Sequence, residues 1–485
     1  MTLKVYSTLT NEKEEFKSII PNHVGLYVCG PTVYGLPHMG HAKSYVCFDV
    51  VRRYFEYLGY KVKYVQNITD VGHLVGDADE GEDKIQKKSR LENLDPMEVA
   101  YYYETKYFEA MDKLNVLRPS ISVRATGHII EIIDTIKTLI EKGAAYVTDE
   151  GNVYFDITKF KDYGKLSGRK IGEGLSGERI EIAKDKRRNE DFSLWKKADE
   201  THLMKWASPW SVGYPGWHIE CSVMSKKYLG DTFDIHGGGI DNMFPHHESE
   251  IAQSEVANGV KFVNYFMHNN LVTVGGKKMG KSLGNSSALE EVFKKVAPIE
   301  VRYYLLLNQY RRPTEFNIEA MLKNGEAYKE MCEVVTKGKE KFGVSDEITS
   351  DKVKEHKTMF LDAMDNDFNT ALAISYLLKA SKELSSELEK GEQDAKLISD
   401  YVHFFDKVAN PILGLPFELE NKTASDSSDD TSLTNQVIEE LLTVRSELKK
   451  KGEYSLSDEI RNKLNSFGVE VKDSKDGFSF KIVNK

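Results

Sequence analysis

The feature that most constrains the fold of this chain is a strand, helix and strand pattern near its N-terminus. An apolar run at 24–29 ends at the breakers Gly-Pro-Thr at 30–32, as a buried strand entering a loop does. Apolar residues then recur with helical period over 41–58, and Gly59 stands where a C-terminal cap belongs. A second strand pattern at 64–68 completes a unit that predicts an α/β fold. Its sheet should be parallel, with ligand sites at the carboxyl ends of the strands.

Length and composition narrow the class of protein. A chain of 485 residues with 40% apolar and 29% charged residues predicts two to four folded domains. Because no apolar run reaches roughly 18 residues, we expect no membrane partner and a cytoplasmic location. Four cysteines are too few for a disulfide framework and are expected as thiols or metal ligands. The net charge of −10 argues against nonspecific nucleic-acid binding, although a local basic face remains compatible with it.

Changes in pattern along the chain predict its domain organisation. The stretch from about 120 to 205, which contains a charged run at 179–190, reads as an insertion; sheet-like sequence resumes at 233–236, and helical patterns dominate from about 320. A stretch rich in Ser, Asp and Thr reads as a linker. The expected regions are a Rossmann-type catalytic domain in two halves (1–120 and 206–320), an inserted connective domain (121–205), a helical bundle (321–418), a linker (419–434) and a small α+β domain (435–485).

Two motifs suit the chemistry of a triphosphate. His38-Met-Gly-His41 lies between the first strand and its helix, and Lys278-Met-Gly-Lys281-Ser follows far downstream in a glycine-flanked loop. Imidazoles at a helix N-terminus and ammonium groups on a movable loop would stabilise the charge on departing pyrophosphate. Each string alone is more often a surface accident, but their order and setting favour a shared site.

A glycine-rich segment and a possible metal site lie between these motifs. In His236-Gly-Gly-Gly-Ile-Asp241, either Gly237, Gly239 and Asp241 bind a nucleotide or the segment is a tight turn. His246 and Glu250 are four residues apart, so on a helix they share one face and suit two metal ligands. Cys29, at a strand end, and Cys221 are the candidate thiolates. Without a Cys-x-x-Cys motif, core thiols remain the alternative interpretation.

Longer segments resemble the cysteinyl-tRNA synthetases, which are class I aminoacyl-tRNA synthetases. The resemblance rests on Tyr27-Val-Cys-Gly-Pro-Thr-Val-Tyr34, Gly216-Trp-His-Ile-Glu-Cys221 and Phe244-Pro-His-His-Glu-Ser-Glu250, and it covers nearly the whole chain. It implies activation of L-cysteine with ATP and its transfer to the 3′ end of cysteine tRNA, with release of pyrophosphate and AMP. It further implies one Zn²⁺ per chain, Mg²⁺ bound with ATP, and a monomer.

The resemblance also assigns roles to particular residues. It implies zinc ligands at Cys29, Cys221, His246 and Glu250, with the substrate thiolate as a further ligand. It implies catalytic roles for His38, His41, Lys278 and Lys281, ATP contacts from His38, Gly40, His41, Gly237, Gly239, Asp241 and Lys281, and substrate contacts from Trp217 and Thr69. The family usually has Ser where Gly280 stands, and the acidic loop at 71–83 is longer than the family version. The last fifty residues resemble the family's anticodon reader.

Two alternative functions remain at this stage. One is a cysteine ligase of the mycothiol pathway, which would transfer the activated cysteine to an amino sugar and would not need the C-terminal region. The other is a noncatalytic RNA-binding paralogue, which complete phosphate and metal motifs disfavour. Cysteine-dependent pyrophosphate exchange and tRNA charging distinguish the three.

Overall fold

The computed structural model describes residues 2–72, 83–170, 185–216, 218–279, 287–418, 428–467, 469–474 and 477–482. The chain divides into two compact units, Met1–Phe417 and Glu418–Lys485. The strands, in chain order, are β1 (Lys4–Ser7), β2 (Glu12–Glu15), β3 (His23–Val28), β4 (Lys61–Ile68), β5 (Ile121–Arg124), β6 (Ala145–Val147), β7 (Val153–Phe155), β8 (Phe192–Lys197), β9 (Trp206–Ala207), β10 (Val212–Pro215), β11 (Phe233–Gly239), β12 (Val263–Asn269), β13 (Val272–Val274), β14 (Lys277–Lys278), β15 (Thr314–Glu315), β16 (Val469–Ser474) and β17 (Gly477–Ile482). The helices are α1 (Met39–Tyr57), α2 (Lys84–Glu92), α3 (Pro96–Lys113), α4 (Ile129–Glu141), α5 (Ile219–Leu229), α6 (Glu248–Asn258), α7 (Leu289–Phe293), α8 (Pro298–Leu306), α9 (Ile318–Phe342), α10 (Asp351–Asp365), α11 (Thr370–Leu388), α12 (Ala395–His403), α13 (Asn410–Leu413), α14 (Ser428–Lys450) and α15 (Tyr454–Ser466).

A five-stranded parallel sheet forms the centre of the larger unit. Its strand order is β12-β11-β3-β4-β5, and every neighbouring pair in it is parallel. The predicted strand, helix and strand unit is therefore confirmed, and the α/β fold with it. Since β3 lies between β11 and β4, loops that follow strands far apart in sequence meet at one sheet edge.

Helix α1 begins two residues before the predicted start, because His38 caps it. The His38 imidazole accepts a hydrogen bond from Gly40 N, and His41 Nδ1 accepts one from His38 N, which completes a capping box. The helix packs on β11 so closely that a Cβ at Gly237 would lie 2.3 Å from the Phe48 ring. Gly59 takes φ of +87° after the helix, which explains the glycine there.

A second, antiparallel sheet follows the order β6-β7-β8-β10-β9 and spans 145–215. Strand β5, at 121–124, belongs instead to the central parallel sheet, where it pairs with β4. The antiparallel sheet thus begins after residue 121 and extends beyond 205. A third small sheet, β14-β13-β15, carries the start of the lysine motif.

Helices α8–α13 complete the larger unit, and a buried ion pair connects α8 to helix α1. The Arg302 guanidinium donates to Asp49 Oδ2 of α1 at 2.5 Å and to Leu413 O at 2.8 Å, and both charged side chains are fully buried. A fully desolvated pair of this kind fixes geometry, because either charge alone would be costly in the core.

The smaller unit has its own core of Ile438, Leu442, Leu464, Val469 and Val471. Helix α14 begins at Ser428, inside the segment expected as linker; residues 419–427 lie outside the described part of the chain. None of the helices in the described ranges combines the length and apolar character that a bilayer crossing demands.

Candidate active site and metal group

A cleft of about 250 Å³ opens at the carboxyl edge of the central sheet. The loop after β3, the start of α1, the end of β11 and the β12–β14 segment line it. This is the position where open α/β sheets bind ligands. Its lining includes these predicted residues: Cys29, His38, Gly40, His41, Gly239, Asp241 and Lys278.

The two motif histidines lie side by side at the N-terminus of α1, with ring centroids 4.1 Å apart. Each Nδ1 accepts a backbone N–H through the capping box described above. A neutral imidazole whose Nδ1 accepts carries its proton on Nε2. His38 and His41 are therefore held as Nε2–H donors at the positive end of a helix, an arrangement suited to phosphate oxygens.

Asp241 and Lys278 meet in the same cleft. Lys278 Nζ lies 3.0 Å from Asp241 Oδ2, and both side chains are about half exposed (49% and 46%). Gly238 and Gly239 line the cleft, whereas Gly237 is packed against Phe48 of α1. The absence of a side chain at Gly237 thus serves helix packing, and that at Gly239 leaves room in the cleft. Lys281 and Gly280 lie outside the described residues.

A cluster of possible metal ligands lies at the inner end of the cleft. Ligand atoms of Cys29, His246, His247 and Glu250 all lie within 4.8 Å of one another, and all four residues are buried. Cys29 Sγ is 3.8 Å from Glu250 Oε1, and His246 Nε2 is 3.0 Å from the same oxygen. Because Cys29 also lines the cleft, a bound metal would border the space open to a ligand.

Burial sets the charge state of this cluster. It raises the pKa of the Cys29 thiol well above its ordinary value, that of Cys221 to about 11 and that of Glu250 to about 7. Desolvation without a cation therefore favours neutral thiols. A divalent metal reverses that preference, because it stabilises the thiolate and carboxylate forms directly.

Of the other predicted metal and substrate residues, Cys221 is buried but is not one of the four clustered residues, and Thr69 is buried as well. Burial, and after it the neighbouring Cys221 thiol, raises the pKa of Cys29. Thr69 is buried; its N–H donates to Pro31 O, and its hydroxyl donates to Glu220 Oε1 at 3.3 Å. Trp217 lies outside the described residues.

The sequence left four histidines without an assigned function that the fold brings to the cluster. His247 Nε2 lies 3.2 Å from Cys29 Sγ, and its Nδ1 lies 2.7 Å from His268 Nε2, so the His247 side chain is enclosed by the cluster and not turned to solvent. His236 contacts Glu250 Oε2 at 2.8 Å, and His218 contacts His246 at 2.5 Å. Helical spacing finds only the pair at 246 and 250. His268 comes close to the cluster because it pairs with Gly238 in the sheet, and residue spacing along the chain carries no information on that pairing.

Comparison with known proteins identifies the family. The family described as the tRNA synthetases class I (C) catalytic domain matches residues 15–326, and the DALR domain family matches residues 359–418. The chain belongs to the class I (C) tRNA synthetase family. A relative from Chlorobaculum tepidum, named Cysteine--tRNA ligase, is 48% identical over 481 residues and covers 98% of each chain. Another of the same name, from Deinococcus radiodurans, is 46% identical and covers 99% of this chain and 96% of its own.

Solved structures of other class I synthetases share the fold of this chain. A methionyl-tRNA synthetase from Mycobacterium tuberculosis, in complex with methionyl-adenylate, superposes with a TM-score of 0.60 at 14% identity and covers 81% of this chain and 92% of its own. A leucyl enzyme from Agrobacterium radiobacter K84, in a ternary complex with tRNA, gives 0.62 at 11% identity, with coverages of 82% and 85%. At such identities the likeness concerns the class I fold alone.

Proposed function

We propose that this chain activates L-cysteine with ATP and transfers it to the 3′ end of cysteine tRNA. The observation that carries the proposal is the position of Cys29, which belongs both to the cleft with the phosphate-type residues and to the Cys/His/Glu cluster. A substrate bound in the cleft would thus have its α-phosphate near His38 and His41 and its thiol near the cluster. The names of the full-length relatives support the same activity.

In the first step, a carboxylate oxygen of cysteine attacks the α-phosphorus of ATP in line, a new C–O–P linkage forms, and pyrophosphate leaves. Nε2–H groups of His38 and His41 donate to phosphate oxygens, and Lys278 exchanges Asp241 for the phosphate chain. Lys281 is assigned the same role by its motif. Most of the catalysis is positioning and neutralisation of developing charge, with Mg²⁺ arriving on ATP.

In the second step, a ribose hydroxyl of the terminal adenosine of tRNA attacks the carbonyl carbon of the mixed anhydride, and AMP leaves. Gly40 and Gly239 line the cleft without side chains, and this supports their contact with the nucleotide. Gly237 does not line the cleft, and its proposed role is to let α1 pack closely on β11 beneath it. Thr69 and Trp217 remain candidates for substrate contact. Thr69 does not line the cleft itself, but its N–H donates to the carbonyl oxygen of Pro31, which does.

We propose that one Zn²⁺ is held by Cys29, His246 and Glu250 of the cluster together with Cys221, which lies outside the four clustered residues. Thiolate, imidazole and carboxylate are the zinc donor set, and ligands of tetrahedral zinc lie about 3.4 to 3.8 Å apart, near the spacings found here. Zinc supplies, when bound, a Lewis acid that prefers a thiolate to a serine hydroxyl, so selection against serine needs no editing domain. His247 belongs to the cluster, but we assign it to orienting Cys29 rather than to binding the metal, because its two nitrogens already face Cys29 and His268.

The remaining regions are assigned by the same proposal. Residues 1–120 and 206–320 are assigned to the catalytic domain and 321–418 to the helical bundle. The connective domain for the acceptor end, expected at 121–205, is assigned to the antiparallel sheet at 145–215, because β5 at 121–124 pairs with β4 in the catalytic domain. Residues 419–434 connect to an anticodon-binding domain at 435–485. We place the enzyme in the cytoplasm as a monomer.

Cysteine-dependent exchange of labelled pyrophosphate into ATP, followed by charging of cysteine tRNA, tests the proposal. Exchange should require cysteine and be far slower with serine, and charging should require the tRNA. Exchange without charging, combined with transfer to an amino sugar, would favour the mycothiol-pathway ligase. The full-length relatives give that alternative no support.

A further inference from the structure

A short hairpin carries Lys278 to the cleft. Strands β13 and β14 pair antiparallel through Thr273 with Lys278 and Val274 with Lys277, and Gly275 and Gly276 connect them. These two glycines take φ of +57° and +75°, the left-handed values of a two-residue hairpin turn. After the hairpin, Met279 N donates to Val272 O at 2.9 Å, and the Met279 side chain is buried.

The turn has little of its own to hold it in one conformation. Both glycines are exposed, and a Cβ added at either would meet no atom within 4 Å. Glycine loses more conformational freedom on ordering than other residues, so two in succession make this connection costly to fix. A group outside the hairpin is therefore well placed to decide where its second strand lies.

The carboxylate of Glu315 is such a group. It lies on β15, which pairs parallel with β13, and it accepts hydrogen bonds from Thr273 Oγ1 at 2.5 Å and from Gly275 N at 2.5 Å. Gly276 N lies 3.4 Å from its second oxygen. The hydrogen bond from Thr273 lowers the pKa of Glu315, as expected of a carboxylate held in its charged form.

The backbone that carries Glu315 is fixed to the core of the larger unit. Tyr304 on α8 donates its hydroxyl hydrogen to Glu315 O at 2.8 Å, and Thr314 beside it is buried. From the other side, Lys43 on α1 donates to Leu271 O at 3.2 Å and to Arg312 O at 2.5 Å. Strand β15 thus connects the motif helix α1 and helix α8 to the hairpin turn.

From these contacts we propose that Glu315 is a positioning residue for adenylate formation, and that it acts by fixing the Gly275–Gly276 turn so that Lys278 stays at the cleft. Glu315 does not line the cleft, so its effect passes through the hairpin. The inference rests on the proposed function for its catalytic consequence. The contact between the carboxylate and the turn can be tested without any activity.

The structural test is amide hydrogen exchange of the full-length protein, measured by mass spectrometry. In Glu315→Ala, amides of residues 272–279 should exchange at least about 10-fold faster, because the acceptor for the turn amides is lost. Exchange elsewhere in the larger unit should stay unchanged. Unaltered protection of this hairpin would overturn the proposed fixing of the turn by Glu315 (the clamp), whatever reaction the protein catalyses.

The kinetic test is pyrophosphate exchange with the same variant. We expect kcat to fall about 10-fold while the KM for cysteine and the zinc content stay within twofold, because only the position of a phosphate ligand changes. An unchanged kcat beside faster hairpin exchange would overturn the positioning role. If wild-type protein gave no cysteine-dependent exchange, the proposed function would fail, and the amide result would still stand.

Three further variants distinguish the effect of side-chain length from that of charge and from a nonspecific loss of stability. Glu315→Asp keeps the charge but is one methylene shorter, so it should resemble Glu315→Ala; wild-type behaviour would show a long-range charge effect and refute the clamp. Glu315→Gln keeps one acceptor oxygen and should be intermediate. Glu319→Gln, at an exposed position four residues on, should change neither measurement.

Discussion

Replacing Lys278 by Ala tests the assignment of the phosphate-binding cleft most directly. Removing one preorganised donor to a transition-state charge costs about 2.7 to 4 kcal/mol in a water-excluded site. Lys278 is 49% exposed and must give up its ion pair with Asp241 to reach the phosphates. An exposed pair of this kind is worth about 1 kcal/mol or less. Subtracting that term leaves about 2 to 3 kcal/mol, which corresponds to a fall of about 30- to 160-fold in the rate of adenylate formation.

The assay is single-turnover formation of the adenylate with saturating ATP, together with the equilibrium affinity for cysteine. Affinity should be unchanged, because the ammonium acts on charge that develops during the step. Lys277→Ala is the matched control, since the neighbouring strand residue projects to the opposite face and should lose less than about twofold. A loss confined to cysteine affinity, or an equal loss in both variants, would refute the assignment.

Three other outcomes are expected. Purified protein should contain about one zinc per chain by mass spectrometry, and Cys29→Ser should lose most of it, whereas Cys47→Ser, outside the cluster, should retain it. Deletion after Glu418 should leave pyrophosphate exchange within about twofold and reduce tRNA charging at least about 100-fold, since the cleft lies wholly in the larger unit; equal losses in both assays with normal circular dichroism would contradict this separation. Arg302→Met should destabilise the larger unit by about 1 to 3 kcal/mol in urea unfolding, because Leu413 O and Leu114 O lose their donor while Asp49 keeps Arg53 as a partner; a change below about 0.5 kcal/mol would count against the pair as a structural connection.

The sequence by itself determined the local elements around the site. Periodicity predicted β3, α1 and β4, because alternation and helical spacing depend only on neighbouring residues. The breakers after β3 predicted that Cys29 stands at a strand end. The spacing of His246 and Glu250 predicted that both face one way, and their Nε2 and Oε1 atoms are 3.0 Å apart.

Only the tertiary structure decided which distant residues meet. His247 and His268 come from different elements, and their contact depends on the pairing of β11 with β12, which no local pattern encodes. The strand order likewise determined that Gly237 packs under α1 while Gly239 faces the cleft. Glu315 in sequence is one acidic residue among 76 Asp and Glu residues. It becomes distinctive only because β15 pairs with β13 and brings its carboxylate to the turn amides, a contact across about forty residues of chain.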